Sequence, residues 1–381
     1  MFDRLFPYQK TGLPVRMHLL RASFFLGTCL LAATTSPSVW QLGPFSRPKH
    51  AQPVITPRPT STFACPLRHA PVHWEALHTF NPAAIVREGK VYVLYRAEDD
   101  SGDMAIGGHT SRLGLAVSDD GLHFTRDPEP VLYPADDDQK AREWEGGVED
   151  PRIVESEDGL YVVTYTQWNR ATYDAGVATS RDLRHWTKHG PALARAYGGK
   201  YANLKYKSAA IVTKLLNGRL LAARIHGKYW MYWGEGRISL ATSDNLIDWA
   251  PVEDARGEPV ALLEKRAGRF DSFLPEVGPP PVVTSRGIVM IYNGKNADQN
   301  GAPGLPGSTY AAGQALFSAD DPAQLLDRAD TPFFKPELPW ERSGQYVAGT
   351  TFAEGLVFFH NRWMLYYGCA DSLVGVAMTR P

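Results

Sequence analysis

The sequence has few cysteines, no excess of charge of either sign and no long apolar segment. Cys29, Cys65 and Cys369 are the three cysteines in 381 residues, with no Cys-x-x-Cys and no Cys/His grouping. That spacing gives no expectation of a zinc site, and no metal ligand is assigned. The 40 Lys and Arg are balanced by 41 Asp and Glu, a formal net charge of −1. A nucleic-acid binder would show a basic excess, so no nucleic-acid partner is expected. No long stretch keeps apolar residues at 3.6-residue spacing, which disfavours a helical solenoid. The apolar run from Ala22 to Ala33 is too short to cross a bilayer as a helix.

That run has the layout of a secretory signal. His18 and Arg21 precede it and small residues follow it. Residues 1–36 are therefore expected to be a cleaved signal peptide, with Met17 as a candidate start and the product periplasmic or secreted. A plain N-terminal membrane anchor and lipidation at Cys29 are the rivals, although Thr28 is a poor residue before a lipidated cysteine. No stable membrane insertion is expected once the signal is gone. Cys65 and Cys369 then remain near the two ends of the chain. A disulfide between them suits an oxidising compartment, but two buried free thiols are the favoured reading. Residues 37–64, rich in Pro, Ser, Thr and Gln, read as a linker or irregular arm.

From residue 65 onward the chain repeats itself loosely. The phrase Ala-x-Ser-x-Asp/Asn-Leu-x-x-Trp occurs at 178–186 and 241–249, with a longer variant at 116–124 and a degenerate one at 316–321. Its serines, 118, 180, 243 and 318, are 62, 63 and 75 residues apart. Aromatic and β-branched runs at 91–95, 160–165, 229–233, 288–292 and 363–367 have strand character. Five such units predict an all-β, five-bladed β-propeller over 65–381. A β-sandwich or β-helix is compatible with the same pattern. The 10 Trp, 17 Tyr and 16 Phe suit blade cores and sugar faces alike. Propeller function collects at one mouth of the central channel, so polar residues ending innermost strands are the ones to examine.

Several stand out. In Gly146-Gly147-Val148-Glu149-Asp150-Pro151-Arg152 two acids precede a proline, which should hold Asp150 extended. This is a rigidly held acid or a turn with a structural ion pair. Glu235 ends an aromatic strand between two glycines, where neighbouring rings would raise its pKa; a solvated turn acid is the plainer reading. Asp271 and Glu276 lie in a segment closed by Pro279-Pro280-Pro281, which reads as a stiff loop and not a central strand. Asn293 and Lys295 end a strand with donors suited to sugar hydroxyls. Asn81-Pro82, the run Arg96 to Asp100, and Lys205 to Ser208 complete the set.

Gly147-Val148-Glu149-Asp150-Pro151-Arg152, Tyr95-Arg96-Ala97-Glu98, Ser111 to Ser118 and Gly278-Pro279-Pro280 together resemble glycoside hydrolase family 130. The resemblance runs from about residue 75 to 381. It implies a five-bladed propeller that acts on β-mannosides with inversion. The family holds phosphorylases, which use phosphate held by basic residues including a histidine in Tyr-His-Gly, and hydrolases, which use water and two glutamates. Here the strand end is Tyr292-Asn293-Gly294, and Glu235 and Glu276 stand 41 residues apart, similar to the β-1,2-mannosidase branch. The resemblance therefore implies Asp150 as acid, relaying a proton through the mannose 3-hydroxyl, and Glu235 and Glu276 as the water-activating pair. It implies no cofactor and an oligosaccharide or glycan as substrate. Asn81, Arg96, Asp99, Arg152, Lys207, Asp271, Asn293 and Lys295 are the candidates for holding the sugar, Arg96 and Lys207 foremost. A phosphorylase, a non-catalytic carbohydrate-binding propeller and a furanosidase-type glycosidase are the alternatives.

Overall fold

The computed structural model describes residues 39–381. The expected export segment, Cys29 and the start of the expected linker lie outside those residues. Among the described residues helix is confined to single turns at Lys140–Glu143, Ala196–Gly199 and Pro339–Glu341; the rest of the regular structure is strand.

The strands form five antiparallel meanders among the described residues. The first comprises His78–Arg87, Lys90–Glu98, Ser111–Ser118 and Thr125–Arg126. The second comprises Gly147–Glu155, Tyr161–Trp168, Tyr173–Ser180 and Thr187–Pro191. The third runs through Ala209–Ile211, Lys228–Trp233, Arg237–Ser243 and Ala250–Pro251. The fourth starts with the interrupted pair Leu274–Val277 and Val282–Thr284, then Gly287–Lys295, Tyr310–Phe317 and Leu325–Arg328. The fifth has Thr351–Phe359, Arg362–Cys369 and Leu373–Met378. Each aromatic run singled out in the sequence falls in the second strand of a meander.

Leu274–Val277 corrects the loop reading of its segment. It pairs with Tyr292–Lys295 although it contains Pro275. The pairing survives because it is only four residues long and stops before the proline run, so a single donor is lost.

Adjacent meanders share one apolar core each. Leu94, Leu115, Val148 and Val163 pack between the first and second. Val162, Val177, Trp233 and Trp249 pack between the second and third. Tyr232, Leu240, Met290 and Phe317 fill the space between the third and fourth. Ile291, Phe334, Leu356 and Tyr367 lie between the fourth and fifth. Val93, Tyr95, Phe359 and Tyr366 join the fifth back to the first. A strand covered on both faces reads as a continuous buried run, and all nine residues of Gly147–Glu155 are buried.

The stretch before Phe63 is tied down. Ser46 bridges to Met378 and Ile55 to Val374, extending the fifth meander outward. Arg47 Nε donates to Glu341 Oε1 at 2.6 Å, and its guanidinium lies 4.2 Å from the Phe334 ring centre. Cys65 and Cys369 are both buried and unpaired.

The recurring serine phrase is a turn with a mechanical purpose. Ser243 Oγ accepts from the amides of Asn245 and Leu246, Asn245 Oδ1 accepts from those of Ile247 and Asp248, and Trp249 Nε1 donates to Leu246 O. Ser180, Asp182 and Trp186 repeat the arrangement. The side chains replace the backbone partners that the turn lacks. The residue three after the serine has positive φ, +68° at Leu183 and +67° at Leu246; in the first meander Gly121, at +76°, takes that place. The two tryptophan-bearing turns thus drive Trp186 and Trp249 into the space between two meanders. Trp249 is 1% exposed, so Trp249→Ala is expected to cost about 3–5 kcal/mol, read as a lowered urea midpoint. A loss below 1 kcal/mol would show that this core closes over the gap.

Candidate active site

Three first strands carry a β-bulge at a polar residue. In His78–Arg87 the register slips between Phe80 and Pro82, leaving Asn81 as the extra residue. In Gly147–Glu155 it slips between Glu149 and Arg152, around Asp150. In Thr351–Phe359 it slips between Ala353 and Gly355, around Glu354. Bulges re-aim side chains that regular pleating would send into the core. Asn81 and Asp150 have φ of +44° and +48°. The expectation that Pro151 holds Asp150 extended is therefore not met. The bulge puts Asp150 in the left-handed region, which short Asx side chains tolerate.

The bulges bring four charged partners to one place. Asp150 Oδ1 accepts from Asn81 Nδ2 at 2.9 Å and from Arg96 Nη1 at 3.2 Å. Arg96 Nη2 also reaches Glu98 Oε1 at 2.7 Å and Glu149 Oε1 at 2.8 Å, while Phe80 lies under its guanidinium. Burial pushes the Glu149 carboxyl up to about 7, with Asp150 and Glu98 adding to the rise against Arg96. For Asp150 burial acts in the same direction, but Arg96, Lys207, Arg152 and the Asn81 hydrogen bond outweigh it and hold the carboxyl below the usual range. The two neighbouring carboxyls are thus pushed in opposite directions, Glu149 up and Asp150 down.

Glu235 and Glu276 come from different meanders but face each other through an antiparallel backbone bridge. Gly236 N donates to Pro275 O at 2.9 Å beside it. Like charges placed opposite each other repel. Lys207 resolves this, with Nζ 3.3 Å from Glu235 Oε2 and 3.6 Å from Glu276 Oε1. Ser208 Oγ donates to Glu276 Oε1 at 2.5 Å. Burial, then Glu235, raise the Glu276 carboxyl despite Lys207. Burial would lower the Lys207 ammonium, but Glu276, Glu235 and Asp150 together raise it well above its ordinary value. Lys207 is thus the charge that all three expected catalytic carboxylates feel.

Four of the eight residues expected to hold sugar are committed inside the protein. Asp99 is taken up by Arg112 Nη1 at 2.8 Å, Ser101 and Thr110. Arg152 donates to the carbonyls of Asp150, Val277 and Gly278 and lies 2.8 Å from Glu354. Asp271 is clamped by Arg266, Arg328 and Tyr292. Asn293 gives and takes hydrogen bonds with the Ala353 backbone, at 3.0 and 2.8 Å. Lys295 lies at the margin, over the rings of Phe273, Tyr310 and Tyr346. Asn81, Arg96 and Lys207 remain at the centre.

Two acids escaped the sequence reading. Glu354 is fully buried against Arg152, and burial followed by Asp150 and Glu276 raises its carboxyl well above the usual range. Burial raises Asp371 to about 7. A lone acid beside a glycine inside the apolar run Thr351–Phe359 was the available signal for Glu354. A surface hollow of about 880 Å³ between residues 127–139 and 184–195 is lined by none of these carboxylates. A smaller one of about 210 Å³, lined by Tyr173, Tyr206, Trp233 and Glu235, adjoins them.

The raised Glu149 carboxyl has a consequence for stability. Between about pH 4.5 and 7 the unfolded chain releases a proton that the folded chain keeps, so stability falls as pH rises through that window. Glu149→Gln removes this contribution, about 3 kcal/mol for a shift of this size. Urea unfolding at pH 5 and pH 8 should show the variant losing that much less than wild type. Equal losses would refute the assignment.

Comparison with known proteins identifies the family. The family model Glyco_hydro_130, described as beta-1,4-mannooligosaccharide phosphorylase, matches residues 46–380. A 1,2-beta-oligomannan phosphorylase of Thermoanaerobacter sp. (strain X514) is 31% identical over 80% of this chain and 90% of its own. A solved glycosyl hydrolase from Bacteroides ovatus is 52% identical, covers 91% of this chain and 96% of its own, and superposes with a TM-score of 0.89. A further solved structure, 51% identical over 91% of this chain and 96% of its own with a TM-score of 0.89, comes from work entitled "The GH130 family of mannoside phosphorylases contains glycoside hydrolases that target beta-1,2 mannosidic linkages in Candida mannan". With a family match spanning nearly all of the described residues, the strands that carry Asp150 and Arg96 included, this chain belongs to glycoside hydrolase family 130.

Proposed function

We propose that the protein is an inverting hydrolase of β-1,2-linked mannosides, built as a five-bladed β-propeller. The five meanders are the blades: each shares a core with the next, and the fifth shares one with the first. The observation that carries the hydrolase reading is the pair Glu235 and Glu276, bridged face to face with Lys207 between them. Two adjacent carboxylates suit a neutral water and repel a phosphate dianion. Asn293, in the place where the resemblance puts a phosphate-binding histidine, is buried and spends its amide on Ala353.

In this reading water, held by Glu235 and Glu276, attacks the anomeric carbon as the glycosidic bond breaks. The raised carboxyl of Glu276 suits it to act as a base near neutral pH. Asp150 serves as acid through the mannose 3-hydroxyl. Its carboxyl is held low by the cations around it, while Glu149, on the same Arg96, is the neighbouring acid that is raised. Inversion needs room for the water, with the acid and base carboxyls about 6.5–9.5 Å apart. Asn81 and Arg96 hold the sugar beside Asp150. Export, supported by the apolar run before residue 36, would place the enzyme where extracellular glycans are met.

The named phosphorylase relatives favour a second reading, in which phosphate replaces water. Incubation with β-1,2-mannobiose separates the two. The hydrolase releases mannose in phosphate-free buffer, gives no mannose 1-phosphate when phosphate is added, and forms the α-anomer first by NMR. Phosphate-dependent release would reject the reading. Glu276→Gln should lower turnover by about 10²–10⁴-fold with the circular dichroism spectrum unchanged.

A further inference from the structure

Beside the Arg96 cluster stand two histidines that the proposed reaction does not use. His78, Glu98 and His109 each offer one donor atom within 4.8 Å of the other two. Glu98 and His109 are buried, 0% and 3% exposed, and His78 is half-buried. They come from the start of one strand, the end of the next and the loop after it, so no sequence spacing announces them.

The hydrogen bonds around the two rings decide their chemistry. His109 Nδ1 lies 3.0 Å from Ser101 O. A carbonyl only accepts, so Nδ1 carries the proton and Nε2 keeps its lone pair. His78 Nδ1 lies 2.9 Å from Ser372 Oγ. Ser372 Oγ has Ala370 O at 3.2 Å as an acceptor for its single proton, and its oxygen accepts from Gln345 N. With the hydroxyl proton placed there, Nδ1 of His78 is left to donate and its Nε2 is bare as well. Burial, aided by His109 and Arg96, lowers the His78 pKa and keeps that ring neutral. Two neutral imidazoles, each anchored through Nδ1–H by an oxygen and each presenting Nε2, are how proteins prepare histidines for a metal.

Glu98 supplies the third donor. Its Oε1 accepts from Arg96 and its Oε2 from Gln345 Nε2 at 3.0 Å. Each oxygen retains a lone pair. Arg96 would not be stranded by a cation here, because Glu149, Asp150 and Ser111 also hold it.

We propose that His78, Glu98 and His109 form a binding site for a divalent transition-metal ion of the zinc class. Two imidazoles and one carboxylate suit such ions, whereas magnesium and calcium prefer oxygen alone. Donors in a tetrahedral zinc site are about 3.4 Å apart, given bonds of about 2.0–2.2 Å, so groups within 4.8 Å of one another close by at most about 1.4 Å on binding. The fourth position is left to a water. The site is two contacts from Asp150, through Glu98 and Arg96, so the ion's charge is felt at the acid.

The test uses full-length protein without a histidine tag, stripped with chelator and dialysed against micromolar zinc. One zinc per chain retained after desalting, and a visible absorption band of tetrahedral cobalt when Co²⁺ replaces it, are expected. His109→Asn should lose both. Ser372→Ala keeps all three ligands but frees the His78 ring, and should weaken binding about 10–100-fold. Circular dichroism checks that both variants are folded, and Ser372→Ala carries the test alone if His109→Asn is not. No stoichiometric zinc in wild type, or unchanged affinity in the folded variants, overturns the proposal. Neither result depends on whether water or phosphate is the nucleophile.

Discussion

Gathering carboxylates away from water is the most costly arrangement in this protein, and two cations make it tolerable. Arg96 contacts Glu98, Glu149 and Asp150, and Lys207 contacts Glu235 and Glu276. Each acid would alone favour its neutral form once buried. The cations let some ionise while leaving others protonated, and that inequality is what an acid and a base need from one site. Asp150 is pulled down, whereas Glu149 and Glu276 remain up. Arginine suits the first cluster because its planar fork reaches three acids at once; lysine suits the second because a point charge can sit between two.

The scaffold explains why these groups can meet. Strand pairing consumes backbone donors and acceptors, and shared cores between meanders fix the first strands side by side. Regular pleating would then turn every second side chain into a core. The bulges at Asn81, Asp150 and Glu354 release polar residues from that alternation. Arg152 and Asn293 secure the same strands from behind, one through carbonyls of the fourth meander, the other through the backbone of the fifth. Gly368 completes the fit, since a Cβ there would collide with the Asn81 side chain.

Much of this was readable from residue types alone. The aromatic runs marked the second strand of each meander because β-branched and aromatic residues pack well on a pleated surface. The serine phrase marked turns because Ser, Asp and Asn bond locally. Asp150, Glu235 and Glu276 stood out because glycine and proline punctuate them. What was not readable is which polar residue spends its hydrogen bonds where. Asp99, Asp271 and Asn293 have the same chemistry as a sugar ligand, and only the arginines or backbone brought beside them by folding reveal that they are occupied. Glu354 and Asp371 were missed because one acid in an apolar strand or a turn forms no pattern. The strand through Pro275 was missed because a rule about central strands does not reach a four-residue pairing.

The bridges from Ser46 to Met378 and from Ile55 to Val374 also bear on how the chain is made. Ser46 and Met378 are 332 residues apart. A ribosome working at about 5–20 residues per second delivers the first of them roughly 20–60 seconds before the second. Through that interval the early meanders can assemble, but Ser46 and Ile55 have no strand to pair with until residues 373–378 emerge. The segments around Ser46 and Met378 thus act as a seam that can close only once residue 378 has been made.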